Sequence, residues 1–351
     1  MKKEFMKGNV AIAEAAIKCG VRHFYGYPIT PQNEIPEYMS HRMVEVGGTF
    51  IQAESEVSAM NMVYGAAGSG ARVLTSSSSP GMSLKMEALS YAAGADLPCV
   101  IVNICRIGPG LGGLAASQGD YFQCVKGGGH GDYRCLVLAP RSIQEAVDFT
   151  QLAFDLTDKY RMPGIILGDA VLGQMLEPVI IPEKTPVKTD KSWATTGWKD
   201  KSRPRAVINS LFLEVEKMEK LIVDRYKRYE ELAKECTLYD SINAEDCEVL
   251  VVAYGLVARI AGSVISEHAK KLGVGLFCPL TLYPYPTEKL HQLAKGKKLV
   301  LCAEMSMGQM YDDVRIAVNG AAPTQFYGRT GGVIPTEEEI YDVLVKIKGA
   351  L

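Results

Sequence analysis

"RVLTSSSSPGMSLKMEALSYAAGADLPCVIVNI", residues 72–104, reads as strand, helix, strand. The apolar runs "RVLTS" (72–76) and "CVIVNI" (99–104) flank a helix-period segment near 82–93. Continuous rather than alternating apolar strands are buried on both faces, which indicates a parallel sheet covered by helices. The same texture extends in both directions. "FIQAE" (50–54), "CLVLA" (135–139) and "GIILG" (164–168) add strands, and helices are expected near 8–19, 31–44, 56–69 and 142–157. Ser142 and Glu145 stand at capping-box spacing, where each side chain can satisfy the other residue's free backbone N–H.

From Pro178 to Lys201 the pattern dissolves into Pro, Lys, Thr and both tryptophans, Trp193 and Trp198, as in a linker. Ser202 and Pro204 then predict a long helix over about 203–235, because Ser caps free N–H groups and Pro suits a first turn. Its narrow apolar stripe (Ile208, Leu211, Val215, Met218, Ile222) suits a bridge between domains or contact with another chain. A second α/β unit follows, with strands "VLVVAYG" (249–255), "VGLFC" (274–278) and "KLVLCAE" (298–304), a helix to about 271, and a last helix opened by Thr336 with Glu339. The expected division is 1–178, 179–244 and 245–351.

A chain of 351 residues with 47% hydrophobic and 22% charged content can bury a large core and suits two domains. Its 38 basic residues against 40 acidic ones, with no dense basic run interleaved with aromatics, argue against nucleic acid as a partner. The nine cysteines are scattered and form no C-x-x-C pair, which suits reduced thiols in a cytoplasmic protein and excludes a closely spaced cysteine-ligated cluster. Glu4 and Glu14 interrupt any signal-like apolar region, and Arg259 cuts the run 249–265, so neither a secretory signal nor a membrane span is expected. No metal-ligand spacing occurs, and the glycine clusters 64–72 and 107–114 lack the strand, G-x-G-x-x-G, helix order of a dinucleotide site.

Four positions invite a functional reading beside a structural one. Glu56 precedes a helix with no charge until Arg72. Such a carboxylate can be desolvated and exchange a proton near neutral pH, or it can simply complement the helix dipole, as can Glu54. Arg106 ends a strand before a glycine-rich loop, where it can bind a carboxylate in bidentate fashion or pair with a nearby surface acid. "TSSSSPGMS" (75–83) offers hydroxyls and helix N–H groups to an anion, or is a solvated turn. Thr30, in "YPITPQNEIPEYM" (27–39), either caps the next helix or points its hydroxyl into a site. His130, in a flexible glycine-rich turn, reads as structural.

In order and spacing, "YPITP" (27–31), "SEVSAMNMVYGA" (55–66), "TSSSSPG" (75–81), "NICRIGPG" (103–110) and "SQGDY" (117–121) resemble the alpha chain of the 2-oxoacid:ferredoxin oxidoreductases. The likeness spans about residues 8–345 and is greatest to the branched-chain (3-methyl-2-oxobutanoate) subfamily. It implies an α/β chain with a pyrimidine-type thiamine diphosphate-binding parallel-sheet domain and a transketolase-C-terminal-like domain. The implied reaction is coenzyme A-dependent oxidative decarboxylation with reduction of ferredoxin. Carried over by motif, Glu56 is the carboxylate that activates the cofactor at its pyrimidine, aided by raised proton affinity in apolar surroundings. Thr30 and Arg106 contact the substrate's carboxylate end, and Pro28, Ile29, Ser78 and Ser79 line the cofactor.

Gly168-Asp169 is followed by Ala170, without the G-D-G…N-type segment that holds Mg²⁺ on the diphosphate. The resemblance therefore implies a partner beta subunit carrying the diphosphate and Mg²⁺, and an iron–sulfur subunit carrying the clusters. A 2-oxoglutarate enzyme is the alternative within the family; its second substrate carboxylate calls for an extra cation, and "IGPGLGGLAASQGD" (107–120) holds none before Lys126. A non-redox thiamine decarboxylase subunit and a non-catalytic binding module are the rivals outside it.

Overall fold

A computed structural model describes residues 3–199, 201–202 and 204–351. Its strands, in chain order, are β1 (Glu4–Lys7), β2 (His23–Gly26), β3 (Thr49–Gln52), β4 (Val73–Ser77), β5 (Cys99–Cys105), β6 (Leu136–Leu138), β7 (Pro163–Asp169), β8 (Leu176–Val179), β9 (Tyr239–Ile242), β10 (Val249–Val252), β11 (Val274–Pro279), β12 (Thr281–Tyr283), β13 (Leu299–Glu304) and β14 (Thr324–Gly328). The helices are α1 (Gly8–Lys18), α2 (Glu34–Glu45), α3 (Glu56–Gly68), α4 (Pro80–Gly94), α5 (Ile143–Tyr160), α6 (Ala170–Gln174), α7 (Val215–Glu235), α8 (Gly255–Leu272), α9 (Thr287–Ala294), α10 (Gln309–Val318) and α11 (Glu337–Ala350).

Seven strands form the first sheet in the order β12-β6-β7-β5-β4-β2-β3, parallel throughout except for β12 on the edge. Its central strand β5 shows why the apolar runs are unbroken. Val100, Val102 and Ile104 join a core containing Ile12, Ile35, Met39 and Phe154, whereas Cys99, Ile101 and Cys105 join one containing Met60, Val63, Met82 and Leu89. Alternate residues thus serve opposite faces, and both faces are dry. The second sheet has the order β14-β13-β10-β11-β9, and β1 pairs with β8 in a two-stranded ribbon. Because β12 comes from the C-terminal half yet pairs with β6, the two halves are interlocked.

The expected helix over 203–235 begins only at Val215; residue 203 itself lies outside the described residues. Residues 204–214 carry no regular structure, since Ile208 packs as an arm on the core of the first sheet rather than as part of a helical stripe. Helix α7 then lies on the first unit, with Tyr229 and Leu232 in its core and Arg225 Nε donating to Asp96 Oδ1 at 2.9 Å. Thr336 and Glu339 close a full capping box. Ser142 closes only half of one, because the Glu145 carboxylate accepts the Arg141 N–H at 2.7 Å and pairs with that guanidinium. All nine cysteines are buried and free. No helix among the described residues is long and apolar enough to cross a membrane.

Candidate functional site

Adjacent parallel strands β5, β4 and β2 end at one edge of the first sheet, so the segments after them converge. Arg106 follows β5, Ser78 and Ser79 follow β4, and residues 27–31 follow β2. Ligands gather at this edge in open α/β sheets.

The 27–31 loop is held from behind. Asn9 Nδ2 and Gln174 Nε2 both donate to the Pro31 carbonyl, at 2.8 and 3.0 Å. Pro28 and Thr30 are exposed and Ile29 is half-buried. Thr30 is not the cap of α2, whose N-cap residue is Asn33; its Oγ1 accepts instead from Asn33 Nδ2 at 3.1 Å. Arg106, 6% exposed, spans the gap to this loop. Its Nη1 donates to the Thr30 carbonyl at 2.8 Å and its Nη2 to the Leu111 carbonyl at 3.1 Å, while Nε is buried without a partner.

Ser79 ties the second and third segments together. Its φ of 26° lies in the left-handed region, a strained choice for a residue with a side chain. The strain is held in place by its contacts: its N–H donates to Asn103 Oδ1 at 3.2 Å, its Oγ accepts the Arg106 N–H at 3.0 Å and donates to Asp120 Oδ2 at 2.7 Å. Asn103 Nδ2 also donates to Asp120, at 2.8 Å. The Ser79 hydroxyl is therefore committed to shaping the turn rather than left open to a ligand. Ser78 is different, since its Oγ is buried with no partner, as is that of Ser77.

Helix α3 starts with Ser55 as N-cap, its Oγ accepting the Ser58 N–H at 3.2 Å. Glu54 remains in solvent and accepts from Ser58 Oγ at 2.6 Å, which holds its carboxyl below the usual range. Glu56, one residue inside, is 5% exposed and receives no hydrogen bond from the described residues. Its carboxylate lies against α4 where Gly81 gives it room: a Cβ on Gly81 would overlap both Glu56 Oε1 and Ser77 Oγ. Burial of Glu56 was expected, but purely apolar surroundings were not found. Lys85, on α4, is fully buried, donates to Thr75 Oγ1 at 3.0 Å and feels the Glu56 charge. Burial pulls its pKa down to about 8, against the opposing field of Glu56.

The second unit packs over this edge, and Gln118 is among the side chains that tie it there. Gln118 Nε2 donates to the Tyr254 carbonyl at 2.9 Å, its Oε1 accepts the Met305 N–H at 2.8 Å, and its own N–H donates to the Met305 carbonyl at 3.0 Å. Tyr254 and Met305 follow β10 and β13 of the second sheet, so Gln118 ties the loop after β5 to two strand ends of that sheet. A cleft of about 440 Å³ remains between the units, lined by Ser79, Pro80, Gly108, Asp120, Ser306 and Thr330 among others. Asp169, the acid of Gly168-Asp169-Ala170, caps α6 by accepting the N–H groups of Val171 and Leu172 at 2.8 and 3.1 Å. Burial raises it to about 6.

The structure therefore brings Thr30, Arg106, Ser78, Ser79 and Glu56 to one edge, with Pro28 and Ile29 on the loop beside them. Residue patterns did not single out Lys85, Asn103, Asp120 or Gln118, and took Ser77 and Gly81 only as part of the 75–83 stretch. Asn103, Gln118 and Asp120 lay inside the quoted motifs, whereas Lys85 carried no signal beyond being a lysine in a helix.

Residues 14–230 match the family model described as pyruvate flavodoxin/ferredoxin oxidoreductase, thiamine diphosphate-binding, and residues 247–340 match pyruvate:ferredoxin oxidoreductase core domain II. A ketoisovalerate oxidoreductase subunit VorB from Methanothermobacter thermautotrophicus is 44% identical over 99% of this chain and 98% of its own. A 2-oxoglutarate synthase subunit KorA from Methanocaldococcus jannaschii is 35% identical over 97% of this chain and 98% of its own. The solved structure of a 2-oxoglutarate:ferredoxin oxidoreductase from Magnetococcus marinus, with 2-oxoglutarate, coenzyme A and succinyl-CoA bound, superposes with a TM-score of 0.89 over 99% of this chain at 23% identity. This chain spans 65% of that one's length.

Proposed function

Because the chain belongs to the 2-oxoacid:ferredoxin oxidoreductase family, we propose that it is the alpha subunit of a branched-chain 2-oxoacid enzyme and holds the pyrimidine end of thiamine diphosphate. The single observation that carries this reading is the buried Glu56 carboxylate against Gly81, beside the partnerless hydroxyl of Ser77, with that of Ser78 partnerless in the next residue. Buried polar atoms without partners are rare in folded proteins, so a ligand with both donors and acceptors fits there. An aminopyrimidine is such a ligand.

In this reading Glu56 holds and exchanges a proton at a ring nitrogen, and Ser77 and Ser78 orient the ring. Pro28, Ile29 and the backbone around the strained Ser79 form the wall. Arg106 offers its free Nε to the substrate carboxylate, with Thr30 setting the distance between the two loops. Bound thiamine diphosphate supplies the electron sink for loss of CO₂. Iron–sulfur clusters on a partner subunit would supply the route for the two electrons of the oxidation to ferredoxin, and coenzyme A would take the acyl group.

Mg²⁺ and the diphosphate are assigned to a partner beta subunit, because Asp169 is committed to capping α6. The clusters are assigned to a further subunit, since every cysteine here is buried and none are closely spaced. The assembly belongs to the cytoplasm. The branched-chain substrate is supported by the similarity to the ketoisovalerate subunit and by the cation-free loop 107–120.

The test is to co-express the chain with its beta and iron–sulfur partners and measure anaerobic, coenzyme A-dependent viologen reduction with a panel of 2-oxoacids. Preference for 3-methyl-2-oxobutanoate is expected. Preference for 2-oxoglutarate would overturn the substrate, and bound thiamine diphosphate with no dye reduction would overturn the redox assignment.

A further inference from the structure

The Ser79 hydroxyl does not do what its place in the chain suggests. Ser79 is the N-cap residue of α4, where a serine ordinarily accepts an N–H of the first turn, yet its side chain caps nothing. Its carbonyl starts the helix by accepting the Ser83 N–H at 3.1 Å, while its Oγ is taken up by Asp120 and the backbone of Arg106. A forgone cap and a left-handed φ both run against the local preference of the chain. What fixes Ser79 in this way lies outside β4 and α4.

Asp120 supplies that restraint. Its Oδ2 accepts both the Ser79 hydroxyl at 2.7 Å and Asn103 Nδ2 at 2.8 Å, and Asn103 Oδ1 accepts the Ser79 N–H at 3.2 Å. The three residues close a ring of hydrogen bonds. Both donors to Asp120 are neutral, so this ring calls for an acceptor oxygen rather than for a charge.

Asp120 is in turn gripped by the second unit. Gln309, the first residue of α10, brackets it: Nε2 donates to the Gly119 carbonyl at 2.7 Å, and Oε1 accepts the Phe122 N–H at 2.8 Å. One turn further along α10, Asp313 accepts the Tyr121 hydroxyl and pairs with Lys126. The segment so held ends in a single π-helical turn, Gln123–Gly127, a form that recurs at functional sites. Gln123 Nε2 donates at 2.9 Å to Ser83 Oγ, in the first turn of α4. Contacts therefore run unbroken from Gln309 through the 119–123 segment to Ser79, and two residues on Gly81 gives the Glu56 carboxylate its room.

We propose that Asp120 is a positioning residue through which the second unit sets the first turn of α4, and with it the seat of Glu56 against Gly81, Gln309 being the residue of the second unit that holds it. This rests on the reading of Glu56 as the proton-exchanging group. It gives the second unit, which contributes none of the residues assigned to cofactor or substrate, a part in the chemistry.

The experiment uses the reconstituted complex with Asp120→Ala, Asp120→Asn, Gln309→Ala, the two alanine changes together, and Glu56→Gln. Turnover is expressed per bound thiamine diphosphate, so that a smaller amount of folded or loaded complex does not count as a slower rate. A second readout, independent of activity, is hydrogen exchange by mass spectrometry over residues 76–86. Asp120→Ala should lower turnover per loaded site about 10- to 100-fold and hasten exchange in that segment. Asp120→Asn, whose carbonyl can accept from Ser79 and Asn103 as Oδ2 does, should recover most of both. Gln309→Ala should lower turnover about 3- to 10-fold and add nothing in the Asp120→Ala background, because the two act along one path. Unchanged turnover or unchanged exchange in Asp120→Ala would overturn the proposal. So would effects of the two alanine changes that multiply in full, or an Asp120→Asn complex as slow as Asp120→Ala. Should Asp120→Ala not assemble, Gln309→Ala decides by the same two readouts. Retained turnover in Glu56→Gln would sink the reading of Glu56 and the catalytic half of this inference with it; loss of turnover there beside unmoved exchange in Asp120→Ala would sink this inference alone.

Discussion

Arg106, after β5, donates to the Thr30 carbonyl, after β2, at 2.8 Å, reaching across the end of the intervening strand β4. A second nitrogen of the same guanidinium holds the Leu111 carbonyl, and the third is buried and unpartnered. One planar fork therefore fixes two loops and keeps one donor in reserve. Lysine, a point charge without that geometry, cannot do all three. Arg106→Lys is expected to raise KM for the 2-oxoacid roughly 10- to 100-fold, from loss of a charged hydrogen bond and looser loops. A steady-state titration of the substrate checks this. An unchanged KM would remove Arg106 from the substrate site.

Gly81→Ala tests the packing of Glu56. Alanine is the better helix former by about 1 kcal/mol, so α4 itself should not suffer. The added methyl, however, would occupy the space of Glu56 Oε1 and Ser77 Oγ. Displacement of a proton-exchanging carboxylate by even 1 Å can lower turnover about 100-fold. The expected result is a folded subunit, with unchanged circular dichroism, whose complex turns over roughly 100-fold more slowly. Full activity would mean that the position of Glu56 against α4 does not matter.

The residues that pattern reading found and missed differ in one physical respect. Glu56 stands out because it is a charge at the head of an uncharged helix, and Arg106 because it closes an apolar strand; both are contrasts along the chain. Lys85 has no such contrast, since a lysine beside Glu87 looks like one more solvated position, and only the fold reveals that it faces Thr75. The bond of Ser79 to Asp120 joins residues 41 apart, which no local period reports. The sheet was legible because a buried strand must be apolar along its whole length. The arm 204–214 was not, because Ile208 and Leu211 stand at the spacing of a helical stripe, yet only Ile208 packs on the core while Leu211 is exposed.

Gln118, in the loop after β5, is tied to the second sheet through both ends of its amide. Gln118→Ala would leave the Met305 N–H buried without its partner, at a penalty of about 1–3 kcal/mol, while the Tyr254 carbonyl keeps the Ala258 N–H. A loss of roughly 1–3 kcal/mol in stability is expected, read as a lower urea midpoint, together with faster proteolysis at the 107–120 loop. An unchanged midpoint would show that the halves are held by β12 and the apolar core instead.

Asp169 predicts a pH dependence with a definite sign. Burial raises its carboxyl from 3.8 to about 6, so between these values the native state binds more protons than the unfolded one. Stability attributable to this group is then highest below pH 4 and is lost as pH rises to about 6, by up to about 3 kcal/mol. Asparagine caps a helix as well as aspartate does and carries no charge. Asp169→Asn should therefore match the parent near pH 4 and exceed it at pH 7.5, with a flatter slope between pH 4 and 6. Thermal unfolding of the isolated chain at several pH values measures both. A variant less stable than the parent at pH 7.5 would show that the two N–H bonds and the start of α6 favour the charged carboxylate more than burial opposes it.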